Sequence, residues 1–261
     1  MPIALLSDFG LRDSYVGAMK GVLARLAPNA AVIDISHEIP PFDVIEAGLK
    51  LFQAFSYFPR KTVFVAVVDP GVGSSRRAIL VETEDYFFLG PDNGLLSMAL
   101  AEQKIRRIVE LKNDKYFLQP VSPTFHGRDI FAPVAAHLSQ GLSAEFFGPE
   151  LTGYERLPAF LPKRDAQEIR GQILTFDRFG SAISNLSRAY LARYFQGPVL
   201  KVEVAGLTLE GLGDHYAEAA ANHPFLIFGS SQLLEISVNQ GSAESVLRLS
   251  RGETLRIALG K

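Results

Sequence analysis

The pattern of apolar and polar positions changes character near the middle of the chain. In the first part, short continuous apolar runs at residues 3–6, 31–35 and 62–68 alternate with amphipathic stretches. Runs without polar alternation predict strands covered on both faces, as in a parallel sheet. Between the first two, Val16, Met19, Val22, Leu23 and Leu26 recur at helical spacing, and Asp13 or Ser14 stands where a cap is needed. Residues 43–55 predict a second helix. Strand, helix, strand, helix and strand in succession make βαβ units, with right-handed crossovers expected. Further strands are predicted at 78–81, 86–89 and 104–111, with a short helix near 95–101 and another helix running through 134–138. His126 falls at or just before the amino end of that last helix.

Around residues 158–168 the composition shifts to a Pro-rich, charged stretch that reads as a linker or crossing segment. Beyond it the helical period fades. Strand-like runs at 169–176, 199–204, 225–228, 233–238 and 254–259 are separated by Gly, Asn, Asp and Ser, with one helical stretch near 186–194. The expected architecture is an α/β amino-terminal domain over residues 1–160, with a mostly parallel sheet in Rossmann-like layers. A small all-β, barrel-like domain is expected over residues 161–261.

Composition narrows the class of function. A net charge of -2 in 261 residues supplies no general attraction to nucleic acid or acidic lipid, so neither partner is expected. The chain has no cysteine, which leaves no disulfide framework and no thiolate metal site and fits a cytoplasmic setting. The first apolar stretch lacks a basic flank and is too short for a signal peptide or a membrane span.

Chemistry concentrates where strands end. The run at 62–68 stops on Asp69, and Pro70, Gly71 and Gly73 force a sharp turn before Arg76 and Arg77. In open α/β sheets the carboxyl ends of strands are where ligands bind. Asp8, Asp34, His37, Asp92 and His126 lie at comparable positions. Taken singly, each has an ordinary explanation as a helix cap or turn residue. Taken together they admit two readings. Acids and histidines could hold a divalent metal for phosphoester hydrolysis, or Asp69, Arg76 and His126 could position a water directly while other acids grip a polyhydroxylated ligand. No compact ligand spacing supports the metal.

Seven motifs in order strengthen the second reading: Asp8-Phe-Gly-Leu-Arg-Asp13, Asp34-Ile-Ser-His-Glu-Ile-Pro40, Val68-Asp-Pro-Gly-Val-Gly-Ser-Ser-Arg-Arg77, Pro91-Asp-Asn-Gly94, Phe125-His-Gly-Arg-Asp129, Asp177-Arg-Phe-Gly180, and Ser230-Ser231 with Asn239. Over nearly its whole length the chain resembles the adenosine-forming S-adenosyl-L-methionine hydrolases, or hydroxide adenosyltransferases, relatives of the fluorinases and chlorinases. The resemblance implies hydrolysis of S-adenosyl-L-methionine to adenosine and L-methionine, without metal or organic cofactor. It also implies a homotrimer with sites between subunits. Asp69, Arg76 and His126 match the family's water-handling residues, and Asp8 matches the acid that holds the ribose hydroxyls. Asp13, Asp177 and Ser230 match residues around the methionine amino and carboxylate groups. Phe179 lies in the adenosyl-binding loop, and Asn239 with Gln240 matches the adenine-binding turn. Two departures stand out: Ser181 occupies a position where the pattern has Asn, and Gln232 one where it has Gly. The chain runs from Arg76 into the next strand without the insertion associated with fluorinases, which favours water over halide.

Overall fold

The computed structural model describes residues 1–197 and 199–259. Its contacts divide the chain into two compact units, Met1–Leu157 and Pro158–Lys261.

The first unit is built on a six-stranded mixed sheet in the order β2-β1-β3-β5-β4-β6. Its strands are β1 (Ile3–Ser7), β2 (Val32–Ser36), β3 (Val63–Val67), β4 (Ala78–Thr83), β5 (Phe87–Pro91) and β6 (Ile105–Glu110). The helices are α1 (Tyr15–Leu26), α2 (Val44–Phe55), the short α3 (Ser97–Leu100) and α4 (Ala132–Ser139). Three pairings, β2 with β1, β1 with β3 and β3 with β5, are parallel. The remaining two, β5 with β4 and β4 with β6, are antiparallel. The reason is chain length: the few residues between β4 and β5 allow a hairpin, whereas a parallel return needs a crossover of a dozen or more.

The continuous apolar runs are buried as their pattern requires. Every residue of β1, β3 and β5 is buried, with one apolar cluster on each face of the sheet. Phe64 and Phe88, both fully buried, stack at 5.1 Å and lock β3 to β5. Helix α2 starts where Asp43 Oδ1 accepts from the Glu46 amide at 2.9 Å. At α1 the cap position falls on Ser14, yet neither Ser14 nor Asp13 supplies a side-chain cap. Ahead of α4, Gly127–Phe131 form a π-helical turn with His126 at its amino end.

The second unit is an antiparallel sheet in the order β11-β10-β14-β8-β9-β13-β12. These strands are β8 (Glu168–Phe176), β9 (Ala182–Ser187), β10 (Lys201–Val204), β11 (Leu207–Glu210), β12 (Pro224–Phe228), β13 (Leu233–Val238) and β14 (Thr254–Ala258), and β7 (Lys163–Arg164) pairs off the path with β8. The sheet is nearly closed and wraps a single apolar cluster. Helices α5 (Arg188–Tyr194) and α6 (Ala243–Leu247) complete it.

Three sequence expectations shift here. The stretch 158–168 is not a bare linker: it holds a turn at Pro158–Phe160 as well as β7. Residues 182–187, which carry no strand expectation beyond the first residues of the predicted helix near 186–194, form β9. That helix begins only at Arg188, because Ser187 ends β9 in an extended conformation and its side chain accepts from the Tyr190 amide. Strand β11 and helix α6 have no counterpart in the sequence reading.

Candidate active site

In the register of β1 against β3, Ser7 stands opposite Val67. The two parallel strands therefore end side by side, and the residues just beyond them, Asp8 and Asp69, enter neighbouring loops at the carboxyl edge of the sheet. A cavity of about 340 Å³ opens there, lined by Asp8, Phe9, Tyr15, Pro41, Phe42, Val67, Asp69, Val72, Thr124, Phe125, His126 and Gly127.

Arg76, which is not itself among these residues, ties two of them together, Asp69 and His126. Its Nε donates to both oxygens of Asp69, at 3.0 and 2.9 Å, and its Nη2 donates to Asp69 Oδ2 as well. The same Nη2 lies 2.7 Å from His126 Nδ1. A guanidinium only donates, so this contact assigns the lone pair to Nδ1 and, in the neutral ring, the proton to Nε2. Burial, and next the neighbouring Arg76 charge, hold the His126 pKa below its ordinary value. The imidazole is thereby kept neutral beside the guanidinium.

Local sequence explains this geometry. The Asp69–Arg76 loop folds back on itself: Ser74 Oγ donates to the Gly71 carbonyl at 2.6 Å and accepts from the Arg76 amide at 3.2 Å. Gly73 has φ +77°, and a Cβ built on it would lie 2.4 Å from the Pro123 carbonyl oxygen. Only glycine lets this loop lie against the 122–126 segment that carries His126. That segment is itself pinned by the fully buried Asp129, whose Oδ2 accepts from the Ser122 amide at 2.9 Å and whose Oδ1 accepts from Arg128 Nε at 2.6 Å. Phe9, Tyr15 and Phe125 form an aromatic wall with centroid separations of 5.2 to 5.8 Å. Asp8 Oδ2 accepts from the Phe42 amide at 2.9 Å, which fixes its carboxylate at the rim.

The other candidates from the first unit take structural places. Arg77 pairs with the buried Asp92, whose Oδ1 accepts from the Glu155 amide. Asp34 lies within β2, bound to Lys20, with the buried His37 ring 3.1 Å away. His37 Nδ1 in turn contacts Ser7 Oγ at 2.7 Å. Asp13 is exposed and does not line the cavity. Among the described residues no group of three or more His, Cys, Asp or Glu side chains could hold a metal ion.

The second unit carries its own cavity, of about 600 Å³, lined by Asp177, Phe179, Ser181, Tyr216, Val238, Asn239, Gln240 and Gly241. Here Asp177 Oδ1 accepts from the Phe179 and Ser181 amides at 2.9 and 2.8 Å, which closes the 177–181 turn. Phe179 is 79% exposed. Asn239 donates to the Ala219 carbonyl at 2.7 Å. Ser181 Oγ accepts from Ser237 Oγ at 3.0 Å, a buried contact that suits the small side chain found in place of Asn. Gln232 adopts φ +59°, a conformation that glycine takes up most readily, and Arg188 Nε holds its side-chain oxygen at 2.8 Å. Ser230 sits exposed in that turn and does not line the cavity.

Among the cavity residues that carry no functional expectation from the sequence are Tyr15, Phe42 and Thr124 in the first unit and Tyr216 in the second. Phe42 and Tyr216 are exposed aromatics, and large rings outside a core mark contact surfaces, but that exposure is a property of the fold and not of the sequence.

Comparison with known proteins matches the same chain twice to one family. The SAM hydroxide adenosyltransferase N-terminal domain matches residues 3–148, and the corresponding C-terminal domain matches residues 171–256. An (R)-S-adenosyl-L-methionine hydrolase of Thermus thermophilus is 42% identical, with 98% of this chain and 99% of the relative covered. One from Salinispora tropica is 38% identical, with 99% and 98% covered. A crystal structure of an uncharacterized conserved protein from Thermotoga maritima superposes with a TM-score of 0.88 at 38% identity, covering 98% of this chain and 99% of that one.

Proposed function

The chain belongs to the SAM hydroxide adenosyltransferase family, and on that premise we propose that it hydrolyses S-adenosyl-L-methionine to adenosine and L-methionine. The observation that carries the reading is Arg76, hydrogen-bonded to Asp69 and His126 on the floor of a cavity that Asp8 borders.

The reaction asks little of acid catalysis. The sulfonium leaves as a neutral thioether, so no proton has to reach the leaving group. What the carbon needs is a nucleophile held in line, and positioning is the larger contribution. Arg76 supplies fixed positive charge for a water that becomes hydroxide-like as it attacks C5′. The water loses one proton as the C–O bond forms and the C–S bond breaks, and Asp69 is the carboxylate placed to receive it. Asp8 accepts the two ribose hydroxyls, and the aromatic wall packs against the nucleoside. Asp13, Asp177, Phe179, Ser181, Ser230, Asn239 and Gln240 are assigned to the substrate's adenine and methionine ends on the family resemblance. For Asp177, Phe179, Ser181, Asn239 and Gln240 the shared cavity supports the assignment.

No metal or organic cofactor enters this scheme, because the substrate carries its own leaving-group charge. Incubation with S-adenosyl-L-methionine in excess chelator should yield adenosine and methionine at the untreated rate. Bound adenosine without turnover of fresh substrate would instead mark a nucleoside-binding protein, and loss of activity in chelator a metal-dependent one. A homotrimer and a cytoplasmic location belong to the same proposal, and sedimentation of the purified chain tests the first.

Protonation of His126 would set a second cation against Arg76 and end the Nδ1 contact. The kcat profile at saturating substrate should therefore be level near neutrality and fall on the acid side. Because the folded-state pKa is lowered, the midpoint should lie below the ordinary histidine value of 6.5. A midpoint at or above that value, or an unchanged limb in His126→Gln, would remove His126 from the mechanism.

A further inference from the structure

Strand β13 is buried along its whole length, and at its third position stands a carboxylate that the mechanism above does not use. Glu235 is 6% exposed, with Ile227 and Ile183 opposite it on the two flanking strands. Its Oε2 lies 3.3 Å from the hydroxyl of Tyr216, and that ring lines the 600 Å³ cavity. On its other side a Cβ built on Gly229 would sit 1.7 Å from Oε1. The carboxyl thus fills the space under the 229–232 turn, which presents Ser230. One buried acid touches both pieces that the functional reading assigns to the methionine end: the turn of Ser230 through Gly229, and the wall shared with Asp177 through Tyr216.

The charged surroundings are one-sided. Asp177, from the turn between β8 and β9, and Tyr216 are the titratable groups facing Glu235. Strands β9 and β12 contribute no charged residue, Arg188 of α5 is engaged with Gln232 and the Phe228 ring, and Glu244 of α6 is exposed. Among the described residues Glu235 has no cationic partner. The turn also holds a polar atom the chain does not satisfy, since Ser231 Oγ is buried with no hydrogen-bond partner among the described residues.

We propose that Glu235 holds a proton beneath the amino-acid end of the substrate and gives it up when the substrate's α-ammonium group enters, so that substrate binding is coupled to proton release. The inference rests on the functional reading given above. A buried carboxyl that faces a second negative charge and no cation ionises only at a cost, and an incoming ammonium supplies the missing charge. In the empty protein, burial first and the Asp177 charge second push the Glu235 carboxyl up to about 7. Near neutrality a substantial share of the unliganded protein therefore carries this proton. Once ionised, it accepts from the Tyr216 hydroxyl, and the pair holds the cavity wall in place. Glu235 is a positioning residue in this scheme, acting through Asp177 and Tyr216.

The test is a calorimetric titration at pH 7 in two buffers of different ionisation enthalpy, which counts protons released per ligand bound. Two probes are compared. S-adenosyl-L-homocysteine keeps the α-ammonium and lacks the sulfonium, whereas 5′-methylthioadenosine lacks the amino-acid end. The wild-type protein should release a measurable fraction of a proton with the first and none with the second. Glu235→Gln should abolish the release while still binding both. Equal proton counts for the two probes overturn the proposal, and that comparison needs no variant. Unchanged release in Glu235→Gln overturns it too. If S-adenosyl-L-methionine is hydrolysed while binding releases no protons, only this inference falls. If neither probe binds and no hydrolysis occurs, the functional reading falls with it.

Discussion

Arg76→Ala should lower kcat for S-adenosyl-L-methionine by on the order of a thousandfold, the loss seen when a preorganised donor to a developing charge is removed, while adenosine affinity changes by less than about tenfold. The asymmetry follows from where the side chain sits. Arg76 does not line the cavity that would hold the nucleoside; it lies beneath, tying Asp69 to His126. Its removal deletes the charge that holds the water and frees the groups that orient it. There is also a stability cost. The Arg76 and Asp69 side chains are 11% and 6% exposed, and breaking so buried a pair leaves a carboxylate without its partner, at about 3 kcal/mol or more. Adding Asp69→Asn should therefore recover part of the lost stability and none of the lost turnover. Steady-state kinetics, adenosine titration and denaturant unfolding on the wild type and the two variants separate these effects. Equal losses in kcat and in adenosine affinity would refute the water-holding role.

Gly73→Ala should be nearly as damaging although it removes no functional group. With φ +77° and the Pro123 carbonyl oxygen 2.4 Å from the new Cβ, the Asp69–Arg76 loop has to move away from the segment bearing His126. A displacement of about 1 Å at a reacting centre costs on the order of a hundredfold in rate. Gly141 provides the comparison: its φ is +97°, but a Cβ there meets nothing within 4 Å. Gly141→Ala should cost about 1 kcal/mol of stability from backbone strain alone and leave kcat unchanged. If the two variants lose the same activity, the close approach at Pro123 is not what assembles the site.

Much of this was legible beforehand because it is local. Asp69 and Arg76 are seven residues apart in one glycine-rich loop, and the strand leading into them announces itself by an unbroken apolar run. Asp177, Phe179, Asn239 and Gln240 were found from motifs and line one cavity. Asp13 and Ser230 come from the same motifs and line none; a motif records which residues stand together in sequence and not which way a side chain faces. Strand β9 was missed for a different reason. It carries Ser184 and Asn185, and polar residues in a short run read as loop. They are buried nonetheless, because Ser184 Oγ donates to the Leu234 carbonyl and Asn185 Nδ2 to the Ala159 carbonyl, partners 50 and 26 residues away.

The same distinction separates what the linear order determined from what packing decided. Apolar periodicity, turn residues and the glycines that permit tight loops are properties of neighbours in the chain, and they were enough for two units, an α/β layer followed by a β barrel, and for an acid presented at a strand's carboxyl end. Which acids meet was decided elsewhere. The register that sets Ser7 beside Val67 brings Asp8 and Asp69 together, contact between Gly73 and Pro123 brings His126 to Arg76, and Glu235 is turned inward beneath the Ser230 turn. Such contacts join residues tens of positions apart, are selected by burial and hydrogen bonding in the folded state, and leave no period in the sequence from which they could be read.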